Sequence, residues 1–164
     1  MNNYVRTLFE DNHGRLFVGS LNGLQIYDRA TDQFATVPMR FVNGEHADPN
    51  VSTVFERKNG DILIGTAGHS LFILETQGDT IKARQINRLV SSNLITCLYE
   101  DRERNLWVAT GDNGIFRVDG TEQVRHYSNG NSVALNTISS ICEDDHGHLY
   151  ICLLYTSPSP RDTR

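Results

Sequence analysis

Short apolar segments alternate with polar turns along the chain, and one arrangement recurs four times. The first segment of each copy reads VRTLF, VSTVF, ITCLY or ISSIC, and after a polar turn a second reads LFVG, ILIG, LWVA or LYIC. Third segments read LQIYD, LFILE and IFRVD, and weaker fourth segments lie at QFATVPMRF, KARQIN and EQVRHYS. Short β-branched and aromatic runs between turn residues are typical of strands. No sustained 3.6-residue periodicity indicates a helix.

The spacing of the copies predicts the architecture. A glutamate ends the first strand of each copy, at Glu10, Glu56, Glu100 and Glu143, so the copies are 46, 44 and 43 residues apart. A period in the mid-forties fits four short strands with their turns, which is one propeller blade. We therefore predict an all-β fold, a partial β-propeller of about three and a half four-stranded antiparallel blades. The propeller repeats span 1–152, with blades at about 4–43, 51–88 and 95–129 and a truncated blade from 138.

Small residues mark two positions of the repeat. The turn after the first strand carries Gly14, Gly60 and Gly147, where a tight connection needs positive φ, but the third copy has Arg104 there. We expect that turn to be formed differently or to be strained. The second strand ends in a small residue in every copy, namely Gly19, Gly65, Ala109 and Cys152. A recurring small residue in a strand predicts close packing against a neighbouring blade or chain.

Composition narrows the function classes. The chain of 164 residues has 15 Lys+Arg against 20 Asp+Glu, and the net charge of −5 argues against a nucleic-acid partner. The apolar runs of four or five residues are too short to span a bilayer, and the first residues do not resemble a secretory signal. Either the protein is cytoplasmic or its true start is missing. The three cysteines fit buried free thiols rather than a disulfide framework or a zinc site.

Several tempting motifs have a simpler interpretation as parts of the repeat. The stretch TGDNG at 110–114 resembles a phosphate loop, but it precedes a strand and has counterparts in SLNG and TAGHS. His146 and His148 occupy turn positions, so we expect no metal site and no cofactor. The Glu-Asp pairs recur once per blade, which favours a capping or turn role over catalysis. Trp107 shares its position with Phe17, Leu63 and Tyr150, which favours blade core over sugar stacking.

Variable loops at one end of the blades are the best candidates for ligand binding, because a rigid scaffold holds them. They comprise the turns between the second and third strands and the inter-blade connections at 43–50, 88–93 and 129–136. Their short polar side chains could hydrogen-bond sugar hydroxyls. The candidate binding residues are Asn22, His46, Asp48, His69, Asp112 and Asn113.

The repeat resembles that of the two-component regulator propeller family. The third copy, ITCLYEDRERNLWVATGDNGIFRVD, matches the family pattern at Glu100, Asp101, Asn105, Leu106, Trp107, Thr110, Gly114 and Asp119. The first copy matches at Glu10, Asp11, Gly14, Leu16, Gly19, Gly23, Leu24, Tyr27 and Asp28. The second copy departs from the pattern, since Arg57 replaces the aspartate and Ser70 replaces the second glycine. The resemblance covers roughly residues 4–152.

The resemblance implies a sensor rather than an enzyme. Such repeats usually build seven-bladed propellers in the periplasmic sensor region of hybrid two-component systems, ahead of a membrane helix and a histidine kinase. Many of those sensors recognise breakdown products of complex carbohydrates. The resemblance therefore implies a periplasmic location and an oligosaccharide ligand. It also implies a longer parent chain that supplies the remaining blades and the kinase, and this parent could form a homodimer. It implies no nucleic-acid partner, and no membrane contact by this segment.

Two alternatives of different classes stay open. A propeller lyase or hydrolase resembling streptogramin lyase would need a non-repeating His/Glu/metal constellation on the axial face. A protein-interaction scaffold would need apolar loop surfaces, but the loops are polar.

The end of the chain, 153–164, departs from the repeat at LLYTSPSPRDTR, where Pro158 and Pro160 oppose a central strand. It resembles translated vector sequence, and a disordered tail is the rival interpretation. Because an incomplete array leaves inter-blade faces open, we expect the isolated chain to be marginally stable or to self-associate.

Overall fold

The fold is an array of antiparallel sheets, one for each copy of the repeat. The computed structural model describes residues 4–86, 94–128 and 138–153, and these residues form strands and turns without a helix. No span of the described residues has the length and hydropathy of a membrane-crossing helix. Of the tail predicted at 153–164, Leu153 is the last residue of a strand, so the repeat extends one residue further than expected. Residues 154–164 and the connections at 88–93 and 129–136 lie outside the described residues.

Three of the sheets follow the order of the sequence. The first blade contains β1 (Val5–Glu10), β2 (Leu16–Ser20), β3 (Gly23–Asp28) and β4 (Gln33–Val37), hydrogen-bonded in that order. The third contains β11 (Ile95–Glu100), β12 (Leu106–Thr110), β13 (Ile115–Val118) and β14 (Val124–Tyr127) in the same order. In the fourth copy the described strands are β15 (Ile138–Glu143) and β16 (Leu149–Leu153). The all-β propeller-type fold predicted from the repeat is confirmed.

The second sheet is wider than the predicted four strands. Its blade strands are β7 (Asn50–Glu56), β8 (Ile62–Ala67), β9 (Leu71–Gln77) and β10 (Thr80–Ile86). A hairpin of β5 (Met39–Arg40) and β6 (His46–Ala47) adds to its outer edge, with β5 parallel to β10. The segment QFATVPMRF is therefore not one strand. Pro38 separates β4 from β5 because it has no N–H for the ladder, and its carbonyl accepts the Ala83 N–H at 2.8 Å.

A β-bulge near the start of each blade sets which residues face the neighbouring blade. In β7 the pairing skips Ser52, since Val51 pairs with Thr66 and Thr53 with Gly65. The same register shift recurs in β1, β11 and β15. Side chains alternate along a regular strand, so residues three apart would face opposite sides. The extra residue places Val51 and Val54 on one face, and both are buried.

The first strand of each blade packs on the second strand of the preceding one. Val51 and Val54 share a hydrophobic cluster with Phe17, and Ile95 and Leu98 share the next with Leu63. The third interface joins the four buried residues Ala109, Ile115, Ile138 and Ile141. This repeated contact is the core of the array.

The small residue at the end of the second strand makes this contact possible. A Cβ atom added to Gly19 would lie 2.6 Å from the Val51 Cγ1 atom, and one added to Gly65 would lie 2.6 Å from the Ile95 Cγ2 atom. The expectation of close packing against a neighbouring blade is confirmed at both glycines.

The repeated glutamate ties each blade to the turn of the blade before it. Glu56 accepts the Asn12 backbone N–H at 2.9 Å. Glu100 accepts the Lys58 backbone N–H at 2.9 Å, and Glu143 accepts that of Arg102 at 3.0 Å. Asparagine or arginine side chains of the preceding turn add a second hydrogen bond in each case. We call Glu56, Glu100 and Glu143 the inter-blade glutamates. Each of these glutamates therefore caps the turn of the preceding blade rather than its own turn.

Arg104 keeps the turn geometry of the glycines it replaces. Its φ is 67°, against 76° for Gly14 and 93° for Gly60. Its N–H donates to the Asp101 carbonyl at 3.0 Å, as the Gly14 N–H donates to that of Asp11. The turn is thus formed in the same way, and it carries the strain of a side chain in the left-handed region.

Replacing Arg104 by glycine is expected to relieve this strain. We predict that Arg104→Gly raises the free energy of unfolding by about 0.5–1 kcal/mol. The matched variant Gly60→Ala should lower it by about 1 kcal/mol, because an added Cβ there meets no neighbouring atom and only the φ of 93° opposes it. Urea denaturation followed by circular dichroism measures both changes, and a destabilised Arg104→Gly would contradict the assignment of strain.

A second substitution tests the inter-blade contact. Gly65→Val is expected to lower the free energy of unfolding by about 1–3 kcal/mol, because its side chain overlaps Ile95 and Thr53. Gly120→Val is the control, since no atom lies within 4 Å of a Cβ added at that exposed glycine. The two variants are compared in the same urea titration, and equal effects would refute the close approach.

Candidate functional site

Of the loops predicted to bind a ligand, those within the described residues lie at one end of the blades. Two backbone hydrogen bonds join the turn between the second and third strands of a blade to an inter-blade connection. The Gly23 N–H donates to the Pro49 carbonyl at 2.7 Å, and the Gly111 N–H donates to the Leu94 carbonyl at 3.0 Å. This end is opposite to the turns that carry the inter-blade glutamates, because successive strands are antiparallel. We call it the loop end.

Two of the six candidate residues, His46 and Asp48, meet between the first and second blades beside the turn that holds a third, Asn22. Asn22 lies in the β2–β3 turn next to Gly23. A Cβ atom added to Gly23 would lie 3.9 Å from the Asp48 Oδ1 atom. The His46 Nε2 atom lies 3.1 Å from that Asp48 oxygen. The side chains of His46 and Asp48 are 59% and 57% exposed, so both can reach a ligand. We call Asn22, His46 and Asp48 the loop cluster.

The sequence did not predict how His46 is held in place. His46 lies in β6 and pairs with Arg40 of β5, so the hairpin on the second sheet presents it at the loop end. The hairpin is anchored by the buried side chains of Met39 and Ala47. A strand placement fixes the backbone of His46 more firmly than the free loop that the sequence suggested.

His69 lies in the β8–β9 turn of the second blade, near the same hairpin. Its ring packs edge-on against Phe41 with the centroids 4.9 Å apart. Its N–H donates to the Thr66 hydroxyl at 3.1 Å, and its carbonyl accepts the Gln85 side-chain amide at 2.8 Å. The turn is therefore well defined, and the imidazole remains exposed.

Asp112 and Asn113 lie in the β12–β13 turn of the third blade. The Asn113 N–H donates to the Thr110 hydroxyl at 2.9 Å, and the Asn113 carbonyl lies 2.6 Å from the His126 Nε2 atom. The His126 ring stacks on Phe116 at a centroid distance of 4.2 Å with 4° between the planes. His126 was not among the predicted site residues, because the fourth strand that carries it is the weakest part of the repeat. The pairing of Phe116 with His126 is a consequence of strand register.

The structure also shows a polar groove at the opposite end, between the third and fourth copies. It has a volume of about 320 Å³. Its lining includes Asp101, Arg102, Asn105, Trp107, Arg117 and Glu143. A related groove of about 390 Å³ lies between the second and third blades, lined at the equivalent positions by Leu63, Ile73 and Leu106. Neither groove is predictable from the repeat pattern, because each forms only where two blades meet.

Trp107 is more than a core residue. It packs with the third inter-blade cluster and stacks on Tyr127 at 5.8 Å between ring centroids. Its indole N–H donates to the Asp101 carboxylate at 2.8 Å, and the Arg117 guanidinium lies 5.9 Å from its ring centroid. Phe17 and Leu63 at the same position are buried, as predicted, whereas Tyr150 is 53% exposed.

The aspartates that follow the glutamates cap their own turns. Asp101 accepts the backbone N–H groups of Glu103 and Asn105, both at 2.9 Å. Asp11 and Asp144 make the equivalent pairs of hydrogen bonds. The turn role predicted for the carboxylates is confirmed for these aspartates.

The hydrogen bonds perturb the acidity of Asp101. Burial by itself raises the pKa of this carboxyl, but hydrogen bonds from the Trp107 indole and from Asn105 outweigh it, so the pKa lies below its ordinary value of 3.8. An acid or base for catalysis near neutral pH needs the opposite shift. The carboxylate is therefore suited to capping.

His146 and His148 occupy the same kind of turn. The His148 Nδ1 atom lies 3.0 Å from the Asp144 Oδ2 atom, which also accepts the Tyr150 hydroxyl at 3.1 Å. Among residues 4–86, 94–128 and 138–153, no three His, Cys, Asp or Glu side chains are grouped to hold a metal ion.

The repeat itself has a counterpart among known families. The family described as "Two component regulator propeller" matches residues 1–22 and 90–112. In these two stretches the chain is similar to the two-component regulator propeller repeat. Each matched stretch ends with the first two strands of a blade, β1 with β2 and β11 with β12. The stretches of this chain that match the family are thus the ones that contain the strands of the inter-blade contact.

A curated relative and several solved structures are similar to this chain. Histidine kinase P4 of Formosa agariphila is 29% identical over 74 residues, which are 42% of this chain and 5% of that protein. The extracellular domain of a candidate hybrid two-component system from B. thetaiotaomicron is 20% identical with a TM-score of 0.78. That match covers 100% of this chain and 23% of the extracellular domain. Virginiamycin B lyase from Staphylococcus aureus is 14% identical with a TM-score of 0.63. That match covers 90% of this chain and 48% of the lyase chain. The two structures show the shared fold.

The Asp101 cap generates a prediction about pH. Asp101→Asn is expected to lower the free energy of unfolding at pH 7 by about 1.5–3 kcal/mol, because a charged acceptor of four hydrogen bonds is lost. A carboxyl whose pKa is lowered on folding stabilises the folded protein at pH values above the pKa of the unfolded state. This contribution disappears as pH falls through the pKa of the folded state. The difference between wild type and variant should therefore be constant above about pH 5 and shrink below about pH 4.

The fluorescence of Trp107, the only tryptophan, reports unfolding beside this carboxylate. Asp79→Asn in the exposed β9–β10 turn is the control and should leave the unfolding free energy unchanged at every pH. A difference for Asp101→Asn that stays the same down to pH 3 would contradict the role of the ionised cap.

Proposed function

We propose that this chain is the ligand-sensing propeller portion of a two-component signalling sensor, acting by binding and not by chemistry. The observation that carries the proposal is the regulator propeller repeat, found in register along a blade array that resembles extracellular domains of hybrid two-component systems. The chain spans 5% of the histidine kinase and less than a quarter of the extracellular domains it resembles. The kinase and the remaining blades are then supplied outside these 164 residues.

We place the propeller on the extracellular or periplasmic side of the membrane. The support is the description of the similar structures from B. thetaiotaomicron as extracellular domains. A sensor on that side meets its ligand before uptake, and its output depends on a membrane-crossing element elsewhere in the parent.

The ligand class we propose is an oligosaccharide released from a complex carbohydrate, bound at the loop end. The loop cluster offers an amide, an imidazole and a carboxylate on short side chains, which is the chemistry that hydrogen-bonds sugar hydroxyls. The exposed Asp48 and Asp112 and the net charge of −5 disfavour polyanionic saccharides. We therefore expect a neutral oligosaccharide.

Signalling would follow from a difference in affinity between two arrangements of the blades. A ligand shifts such an equilibrium only as far as it binds one state more tightly than the other. The loop cluster spans two blades, since Asn22 belongs to the first and His46 and Asp48 lie on the connection that joins the second. A ligand held there would stabilise one relative placement of these blades.

Binding assays on the loop cluster test the proposal. Oligosaccharides from partial hydrolysis of neutral and of uronic-acid-containing polysaccharides are screened by isothermal titration calorimetry against the chain. We expect a neutral oligosaccharide to bind, and His46→Ala or Asp48→Ala to weaken its affinity about tenfold, corresponding to about 1.4 kcal/mol.

The matched control lies at the other end of the blades. His13→Ala removes an exposed histidine of the β1–β2 turn and should leave the affinity unchanged. Equal losses for His13→Ala and His46→Ala would place the ligand elsewhere. Absence of binding by every neutral and charged oligosaccharide would refute the ligand class while leaving the fold untouched.

A further inference from the structure

The β8–β9 turn of the second blade and the β12–β13 turn of the third have the same hydrogen bonds. The His69 N–H donates to the Thr66 hydroxyl at 3.1 Å, and the Asn113 N–H donates to that of Thr110 at 2.9 Å. The two threonine hydroxyls in turn donate to the carbonyl of the residue that closes each turn, at 2.8 and 2.7 Å. We call these two connections the long turns. They carry the candidate binding residues His69, Asp112 and Asn113.

The long turns need support that the corresponding turn of the first blade does not. In the first blade Ser20 pairs with Gly23, so only two residues connect the strands. Each long turn instead closes on a residue in the left-handed region, Ser70 with a φ of 60° and Gly114 with a φ of 74°. A serine in this region is strained, so contacts outside the turn are needed to hold that conformation.

The fourth strand of each blade supplies this support through one side chain. The Gln85 side-chain amide of β10 donates from Nε2 to the His69 carbonyl at 2.8 Å. The His126 Nε2 atom of β14 lies 2.6 Å from the Asn113 carbonyl. Because a carbonyl only accepts hydrogen bonds, this histidine nitrogen carries the proton. The same backbone acceptor of the long turns is thus bound in both blades.

Strand register places these two donors at the same position. Gln85 pairs with Phe72 of β9, and His126 pairs with Phe116 of β13. Both phenylalanines are buried. The position holds an amide in one blade and an imidazole in the other, so the shared property is a hydrogen-bond donor within reach of the turn. The first blade, with its shorter turn, has Thr36 there.

Gln85 also holds the hairpin of β5 and β6. Its Oε1 atom accepts the Val42 N–H at 3.3 Å, in the connection between these two strands. The second strand of the hairpin carries His46 of the loop cluster. Because a glutamine amide can donate and accept at once, one side chain joins the segment of His46 to the turn of His69.

We infer that Gln85 and His126 are positioning residues of the loop end, which fix the long turns in the conformation that meets a ligand. A turn that is already held in place loses less conformational freedom when a ligand binds, and the affinity is higher for that reason. Neither side chain needs to touch the ligand for this effect. The inference rests on the proposed function for the ligand, whereas the hydrogen bonds to the turns can be measured without one.

Amide hydrogen exchange of the full 164-residue chain, followed by NMR, tests the second blade. Gln85→Met removes the donor and the acceptor with little change of side-chain length, and it should speed exchange at the Val42 and His69 amides about threefold to tenfold. Gln85→Glu keeps the acceptor for Val42 and loses the donor, so only the His69 amide should exchange faster. Unchanged exchange at His69 in both variants overturns the inference. The second variant decides the test if the first loses the β-sheet circular dichroism.

A matched pair of variants tests the third blade. His126→Phe keeps a ring on Phe116 but has no donor, so exchange at the Asn113 amide should become about threefold to tenfold faster. His126→Gln introduces the residue type that the second blade uses, and it should restore the wild-type rate. The nitrogen chemical shifts of wild-type His126 at about pH 8 should show a neutral ring protonated on Nε2. A proton on Nδ1, or equal exchange in the two variants, overturns the inference.

Calorimetry with a neutral oligosaccharide that binds the wild type tests the effect on binding. Gln85→Met and His126→Phe should each weaken the affinity about threefold to tenfold, and His126→Gln should preserve it. Gln123→Ala is the control, because it removes an exposed glutamine in the β13–β14 turn at the other end of the blade. Faster exchange without loss of affinity in the first two variants would overturn the positioning role. Absence of binding by the wild type would refute the proposed function instead, and the exchange rates and the histidine tautomer would then decide the inference.

Discussion

The contact between the first strand of one blade and the second strand of the blade before it governs the whole structure. A two- to four-stranded sheet cannot bury its apolar face alone, so each copy of the repeat depends on its neighbour. The bulge turns two apolar residues, such as Val51 and Val54, onto the same side, and a glycine on the facing strand lets them approach. The inter-blade glutamate then satisfies a turn N–H that would otherwise lose a partner.

This arrangement separates the turns that stabilise the blade contact from the loops in which we propose ligand binding. The turns at one end are occupied by aspartate caps and inter-blade glutamates, so their carboxylates serve the fold. The turns and connections at the loop end vary between copies and carry the loop cluster. If a ligand binds there as we propose, changes in those loops would alter which ligand binds without altering how the blades pack.

Much of the repeat could be predicted because its signals are local. Strand segments, the period and the glycine positions follow from patterns of a few residues, and the close approach at Gly19 and Gly65 followed from their recurrence. The second sheet could not be predicted in the same way. Pro38 marks a break in the strand, but only the parallel pairing of β5 with β10 shows that the chain continues along the next blade. His126 and the Trp107 groove depend likewise on strand register and blade contact.

The sequence by itself determined the all-β repeat, the turn chemistry and the division between core and loop residues, because these depend on side-chain type at short range. Tertiary structure decided which polar residues meet. The same glutamate that looks like a turn residue in each copy bridges two blades. His46 and Asp48 lie beside the β2–β3 turn of Asn22 only because a hairpin folds onto the second sheet. Contacts between residues some 40 positions apart arise from the packing of whole strands, which no local pattern encodes.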